Sequence, residues 1–142
     1  EIGVRLVGSE MCIRDRGRLE EVTETLSAAN INIICISLSD TGEYGMLRMI
    51  VSQPAAAVDA LAASGFSAVL GDVIAVKLPH HFGALKGLSG QLSENGIDIK
   101  YMYALTSGEN AAIVIKTSDN DKAEAVLSGE HELLSAVDVY NM

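Results

Sequence analysis

Few side chains in this 142-residue sequence stand in patterns that chemistry uses, and each has a plain structural alternative. His80 and His81 are adjacent imidazoles, which are zinc ligands elsewhere. No cysteine or third histidine converges on them in the sequence, so solvated loop histidines are the favoured reading. Asp119, Asn120 and Asp121 lack the glycine and distal glutamate of a calcium loop and read as a helix start. Cys12 and Cys35 make no disulfide framework, and Cys35, inside an apolar run, reads as a small buried hydrophobe. Tyr101 and Tyr103 flank Met102, which puts both on one face of a strand, lining a pocket or, the favoured reading, packing on a neighbouring module. There is no Gly-x-Ser-x-Gly elbow, no phosphate loop, no metal set and no cysteine with a persuasive histidine partner. Catalysis finds no support, and no cofactor is implied.

The bulk composition narrows the partners. Hydrophobic residues make up 49% and charged residues 20%, with two prolines, which is the balance of a folded chain. Aromatics are only 4%, so the core must be aliphatic. Net charge is −9; residues 1–71 carry five basic and nine acidic side chains, and residues 72–142 five and ten. With neither half basic and no Lys/Arg cluster, a nucleic-acid backbone is excluded as a partner. No secretory signal or bilayer-length apolar stretch is visible, so a cytoplasmic protein without a membrane partner is expected.

The elements that must position any site come in two copies. Shifted by 66 residues without a gap, Gly17 falls on Gly83, Leu19 on Leu85, Leu26 on Leu92, Ile31 on Ile97, Ile33 on Ile99, Ser52 on Ser118 and Leu61 on Leu127. In each copy an apolar stripe at i, i+3 and i+7 predicts a helix of about three turns: Leu19, Val22 and Leu26, then Leu85, Leu88 and Leu92. Asn30, and Asn95 with Gly96, are left-handed caps that end these helices. Two β-rich runs around a polar turn follow, residues 31–38 and 46–51, then 97–105 and 111–116, each pair a hairpin. A second helix begins near Pro54 in one copy and at Ser118 or Asp119 in the other, and Gly65 and Gly129 end these helices. Last strands are expected around 66–70 and 136–140, with 73–78 opening the second copy. The fold class is therefore α+β: two ferredoxin-like βαββαβ modules in tandem, residues 1–71 and 72–142, with antiparallel sheets carrying helices on one face. Modules of about 65–70 residues bury little surface, so they are expected to share a sheet or dimerise.

This order of elements, with Gly-x-Leu at the first strand-to-helix turn, resembles the ACT domain. The likeness to tandem bacterial ACT proteins runs through GRLEEVTETLSAANINI, YGMLRMIVSQPAAAVDAL, LSENGIDIKYMYAL and LLSAVDVY, covering about residues 17–142. The family's first loop commonly reads Asn/Asp-x-Pro-Gly-x-Leu, and both copies depart from it, with Phe82 and Arg16 where proline is usual. In the first copy, residues 7–16 (VGSEMCIRDR) resemble the translation of a sequencing-library transposon end, a non-native segment with no clean strand alternation. The native first strand and binding loop of that copy are accordingly expected to be missing.

The resemblance implies a regulatory, allosteric module that binds a free amino acid. A glycine at the turn lets backbone approach the ligand, and the following helix N-terminus faces its carboxylate. Gly83 equally suits a plain tight turn. The implied binding residues are His81, Phe82, Gly83, Ala84 and Leu85, with Asp98 and Ile99, in the second copy. In the first they are Gly17, Arg18, Leu19 and Asn32. Ligands in this family commonly lie where two modules meet. A stand-alone homodimeric amino-acid sensor acting on an enzyme, transporter or transcription factor is the leading expectation. A structural dimerisation module without ligand is the alternative.

Overall fold

The computed structural model of the chain describes residues 6–13, 17–40, 45–79, 83–107, 110–135 and 138–139. The elements are β1 (Leu6–Ile13), α1 (Arg18–Ala28), β2 (Ile33–Asp40), β3 (Gly45–Val51), α2 (Pro54–Ala63), β4 (Ala68–Lys77), α3 (Ala84–Glu94), β5 (Ile99–Ser107), β6 (Asn110–Thr117), α4 (Asn120–Leu127) and β7 (Leu133–Leu134). They form two compact units, Val7–Gly71 and one built on Asp72–Met142, with β4 passing from one to the other.

In the first unit β3 lies between β2 and β1, antiparallel to both. In the second, β6 lies between β5 and β4, and β7 pairs with the other edge of β4, all antiparallel. The repeat is visible down to its irregularities. The register of β2 on β3 slips between Ile33 and Cys35, and that of β5 on β6 between Ile99 and Tyr101, positions 66 apart. Asn30 (φ 60°) and Gly96 (φ 69°) take the left-handed cap conformation, and Ile31 and Ile97 then donate to Leu26 and Leu92 at 2.9 Å. Asp119 caps α4, its carboxylate accepting from the Lys122 N–H at 3.1 Å.

Each unit has its own aliphatic core beneath its helices. Val22, Leu26, Leu47, Met49, Ala57 and Leu61 fill the first, and Val76, Leu88, Leu92, Ile115, Ala123 and Leu127 the second; all are fully buried. The helix stripes are shorter than the spacing predicts. Leu19 and Leu85, in the first turns of α1 and α3, are 36% and 45% exposed. A first turn lies at the rim of the sheet, where its side chains escape the core.

Three strand expectations are corrected. Residues 7–13, expected to break strand pattern, lie in β1: Ser9 and Met11 face the core opposite Met49 and Leu47, and Glu10 stands opposite Arg48. Buried Ser9 is tolerated there because its hydroxyl donates to the Met49 carbonyl at 3.4 Å. The runs expected to be two strands, 66–70 and 73–78, form the single strand β4, because Gly71 takes no positive φ and does not turn the chain. The last strand falls at Leu133–Leu134, not at 136–140. The His131 N–H closes α4 on the Leu127 carbonyl at 2.8 Å, which brings the chain back onto β4 early. Asp138 and Val139 are helical, and residues 136, 137 and 140 lie outside the described residues.

Candidate ligand-binding site

The turn into α3 is built for access. Gly83 takes φ +86° and ψ −3°, the left-handed region that a side chain penalises. The helix then starts abruptly, Gly87 donating its N–H to the Gly83 carbonyl at 2.9 Å. Gly83 has no side chain to cap this end, and the amides of the first turn carry the partial positive charge of a helix N-terminus.

Beside this turn is a cavity of about 340 Å³ within the second unit. One wall is the first turn of α3, with Gly83, Ala84 and Gly87. The other is the chain after α4, with Glu130, His131 and Glu132, and Lys77 and Pro79 close it. The His131 Nε2 lies 3.0 Å from the Gln91 Oε1, while the Gln91 amide nitrogen faces the Val126 carbonyl at 3.5 Å. With that amide orientation the histidine nitrogen is the donor. The Lys77 ammonium lies 3.9 Å from Glu132, both side chains being at least half exposed. The helix N-terminus thus lies at one side of the cavity, and the lining after α4 includes two acidic residues, one of them, Glu132, paired with Lys77.

The sequence-predicted residues divide around this cavity. Gly83 and Ala84 line it, and Leu85 points outward. His81 and Phe82 lie outside the described residues, as do His80 and Arg16. Asp98 and Ile99 line a separate hollow of about 290 Å³ with Ser89, Ser93, Gly96 and Ile97. The Asp98 backbone is already engaged: its N–H donates to the Ser118 hydroxyl at 3.0 Å and its carbonyl accepts from the Ser118 N–H at 2.9 Å. Asn32 makes the same pair with Ser52 at the same two distances.

In the first unit Gly17 repeats the turn at φ +85°. Arg18, though, lies over the Phe66 ring, 4.1 Å from its centroid, and hydrogen-bonds Glu21. Leu19 is 36% exposed. A shallow groove of about 610 Å³ runs between α1 and α2, lined by Glu21, Glu24, Thr25, Phe66 and small residues. Tyr101 and Tyr103 stack, ring centroids 6.2 Å apart. Burial pushes the Cys35 thiol pKa up, against a smaller opposing effect of a hydrogen bond with the Ile36 backbone. Among the described residues no three His, Cys, Asp or Glu side chains group as metal ligands, and no helix is long and apolar enough to cross a membrane.

Sequence reasoning missed Lys77, Gly87, Glu130, His131 and Glu132. The lining after α4 is some 45 residues from α3 in the chain, with no motif to link them. The readable signal was Gly87 itself, a glycine inside a helix, where that residue costs stability.

Three comparisons bear on this arrangement. A family model described as an ACT domain pair matches residues 9–141. The crystal structure of protein BT0572 from Bacteroides thetaiotaomicron is similar over 98% of both chains, at 35% identity and a TM-score of 0.90. The regulatory subunit of aspartate kinase from Thermus thermophilus, in a ligand-free form, is similar in fold at 16% identity and a TM-score of 0.63, over 88% of this chain and 89% of that one. Its counterpart from Thermus flavus has the same identity and TM-score, over 96% and 92%. No curated protein matches the chain.

Proposed function

The chain belongs to the ACT-domain family, and from that premise we propose that it is a non-catalytic regulatory protein binding a free α-amino acid in the cavity beside Gly83. The single observation that carries this reading is the cavity's charge layout. An amino acid presents a carboxylate and an ammonium about two bonds apart. The N-terminal amides of α3 suit the carboxylate. Glu130 and Glu132, which line the cavity after α4, suit the ammonium. Side-chain-free Gly83 lets the backbone come close. The volume is at the lower end of the roughly 300–1,000 Å³ typical of small-molecule pockets.

A binding event here would bias the chain between states read by a partner, a regulated enzyme or transporter. Self-association is favoured by β2, an edge strand carrying Ile36 and Leu38 at 43% and 55% exposure. The cytoplasm is the compartment this reading fits. Calorimetric titration of the full chain with each of the twenty amino acids tests it: at least one should bind with a millimolar or tighter dissociation constant. Heats indistinguishable from dilution for all twenty would overturn it.

A further inference from the structure

In the first unit the groove between α1 and α2 joins two carboxylates, Glu21 and Glu24, to the small apolar side chains of Ala28, Ala60 and Ala63. Among the described residues no lysine or arginine lines it. Arg18 shows how a cation sits at this surface. Its guanidinium lies over the Phe66 ring, 4.1 Å from the centroid, and bonds the Glu21 carboxylate. Glu24, one turn further along α1, has no cation at ion-pair distance among the described residues.

The second unit treats the equivalent surface differently. Gly87 and Gly90 stand 66 residues after Glu21 and Glu24, so the acidic rim belongs to the first unit. Side chains also tie α3 to α4: the Gln91 amide donates to the Val126 carbonyl at 3.5 Å, and the Lys122 ammonium to the Asn95 carbonyl at 2.8 Å. In the first unit the positions of Gln91, Lys122 and Val126 are Thr25, Ala56 and Ala60, too short to bridge the helices in that way. The outer surface of α2 is unusual too. It has one charged residue in ten, Asp59, with six alanines, and Ala55, Ala56, Ala62 and Ala63 are exposed. By contrast α4 carries Asp121, Lys122 and Glu124 in eight residues. A helix apolar on its outer as well as its inner face is the kind that another element covers.

We propose that the α1–α2 groove docks a basic amphipathic helix of a partner protein, which lays small apolar side chains against Ala60 and Ala63 and sets a lysine or arginine beside Glu24. Two helices with small side chains between them leave a groove that a third helix fills, and the 11 residues of α1 offer it about three turns of contact. Charge selects the occupant. The two helices carry one positive side chain, Arg18, and four negative ones, Glu20, Glu21, Glu24 and Asp59, a net of −3. A second copy docked here by two-fold symmetry would set that charge against itself, so the occupant is a different, basic chain. The groove lies apart from the cavity beside Gly83, and the proposal stands whether or not that cavity binds an amino acid.

The test is selection of a displayed library of helical peptides, about 16 residues long and randomised on one face, against the full chain, followed by calorimetry of the tightest binder. Enriched peptides should carry net positive charge, and their binding should weaken as salt is raised. Glu24→Gln should weaken the binder by about threefold or more, and Ala60→Leu, which fills the groove, by about tenfold. Glu20→Gln and Ala62→Leu make the same chemical changes on these helices outside the groove and should leave binding unchanged. Enrichment of neutral or acidic peptides, or of none, would overturn the proposal. So would a binder that responds to the control variants as strongly as to Glu24→Gln and Ala60→Leu. Sedimentation of the free chain as a dimer that Ala60→Leu dissociates would also overturn it, by making a second copy the occupant.

Discussion

Replacing Gly83 by alanine isolates the backbone strain on which the site depends. A Cβ at this position meets nothing within 4 Å among the described residues, so no clash with them contributes. What remains is the conformation, φ +86°, which costs an L-residue roughly 1–2 kcal/mol. Restricting the unfolded chain recovers roughly 0.4–1 kcal/mol of that. The net expectation is a loss of about 1 kcal/mol, or a few degrees in Tm for a chain of this size. Gly17, at φ +85° and equally free of neighbours, should lose the same amount when made alanine. Gly87→Ala should instead gain about 0.5–1 kcal/mol, because the position is helical and open. Urea unfolding followed by far-ultraviolet circular dichroism measures all three. Gly83→Ala as stable as wild type, or Gly87→Ala clearly less stable, would refute the reasoning. Ligand binding adds a second reading, since Gly83→Ala should also weaken it and Gly17→Ala should not.

Leu92→Ala removes a fully buried side chain from the second core and should cost roughly 2–5 kcal/mol in the same unfolding assay. Asp119→Ala removes the α4 cap and should cost about 1 kcal/mol, whereas Asp119→Asn should be nearly neutral. In a Cys12→Ser background, Cys35 should alkylate at pH 8 more slowly than free cysteine, because burial raises its pKa and leaves less thiolate; equal rates would contradict its buried setting. Hydrogen bonds from the Ser135 backbone N–H and hydroxyl lower the pKa of the Asp138 carboxyl. Its contribution is present above the unfolded carboxylate pKa and is lost as pH falls through the lowered folded value. Protection of the Val139 amide should therefore fall away in acid, and Ser135→Ala should move that loss to higher pH.

The repeat and the helix–strand alternation were legible because they rest on local pattern. The 66-residue identities mark the same leucines that close both cores, and Asn30 and Gly96 stop their helices where their chemistry says. Strand placement was less legible because pairing decided it. Nothing in the run of residues 7–13 alternates cleanly, yet opposite β3 it turns Ser9 and Met11 inward, and a serine there is tolerated because it donates to a carbonyl. The end of the chain departs from the pattern because α4 closes two residues sooner than α2, which no residue type announces. For the site, the turn glycine and the residue after it were readable, while the facing wall depends on how α4 returns to β4. Leu85 falls on the apolar stripe of α3, but in the first turn of the helix it is 45% exposed.

The most direct test of the central claim is amide chemical-shift mapping of the full chain on titration with the tightest-binding amino acid. Concentration-dependent shifts are expected at Gly83, Ala84, Gly87, Glu130, His131 and Glu132, with Arg18, Glu21 and Phe66 unmoved. Shifts centred on the α1–α2 groove, or none at saturating ligand, would contradict it.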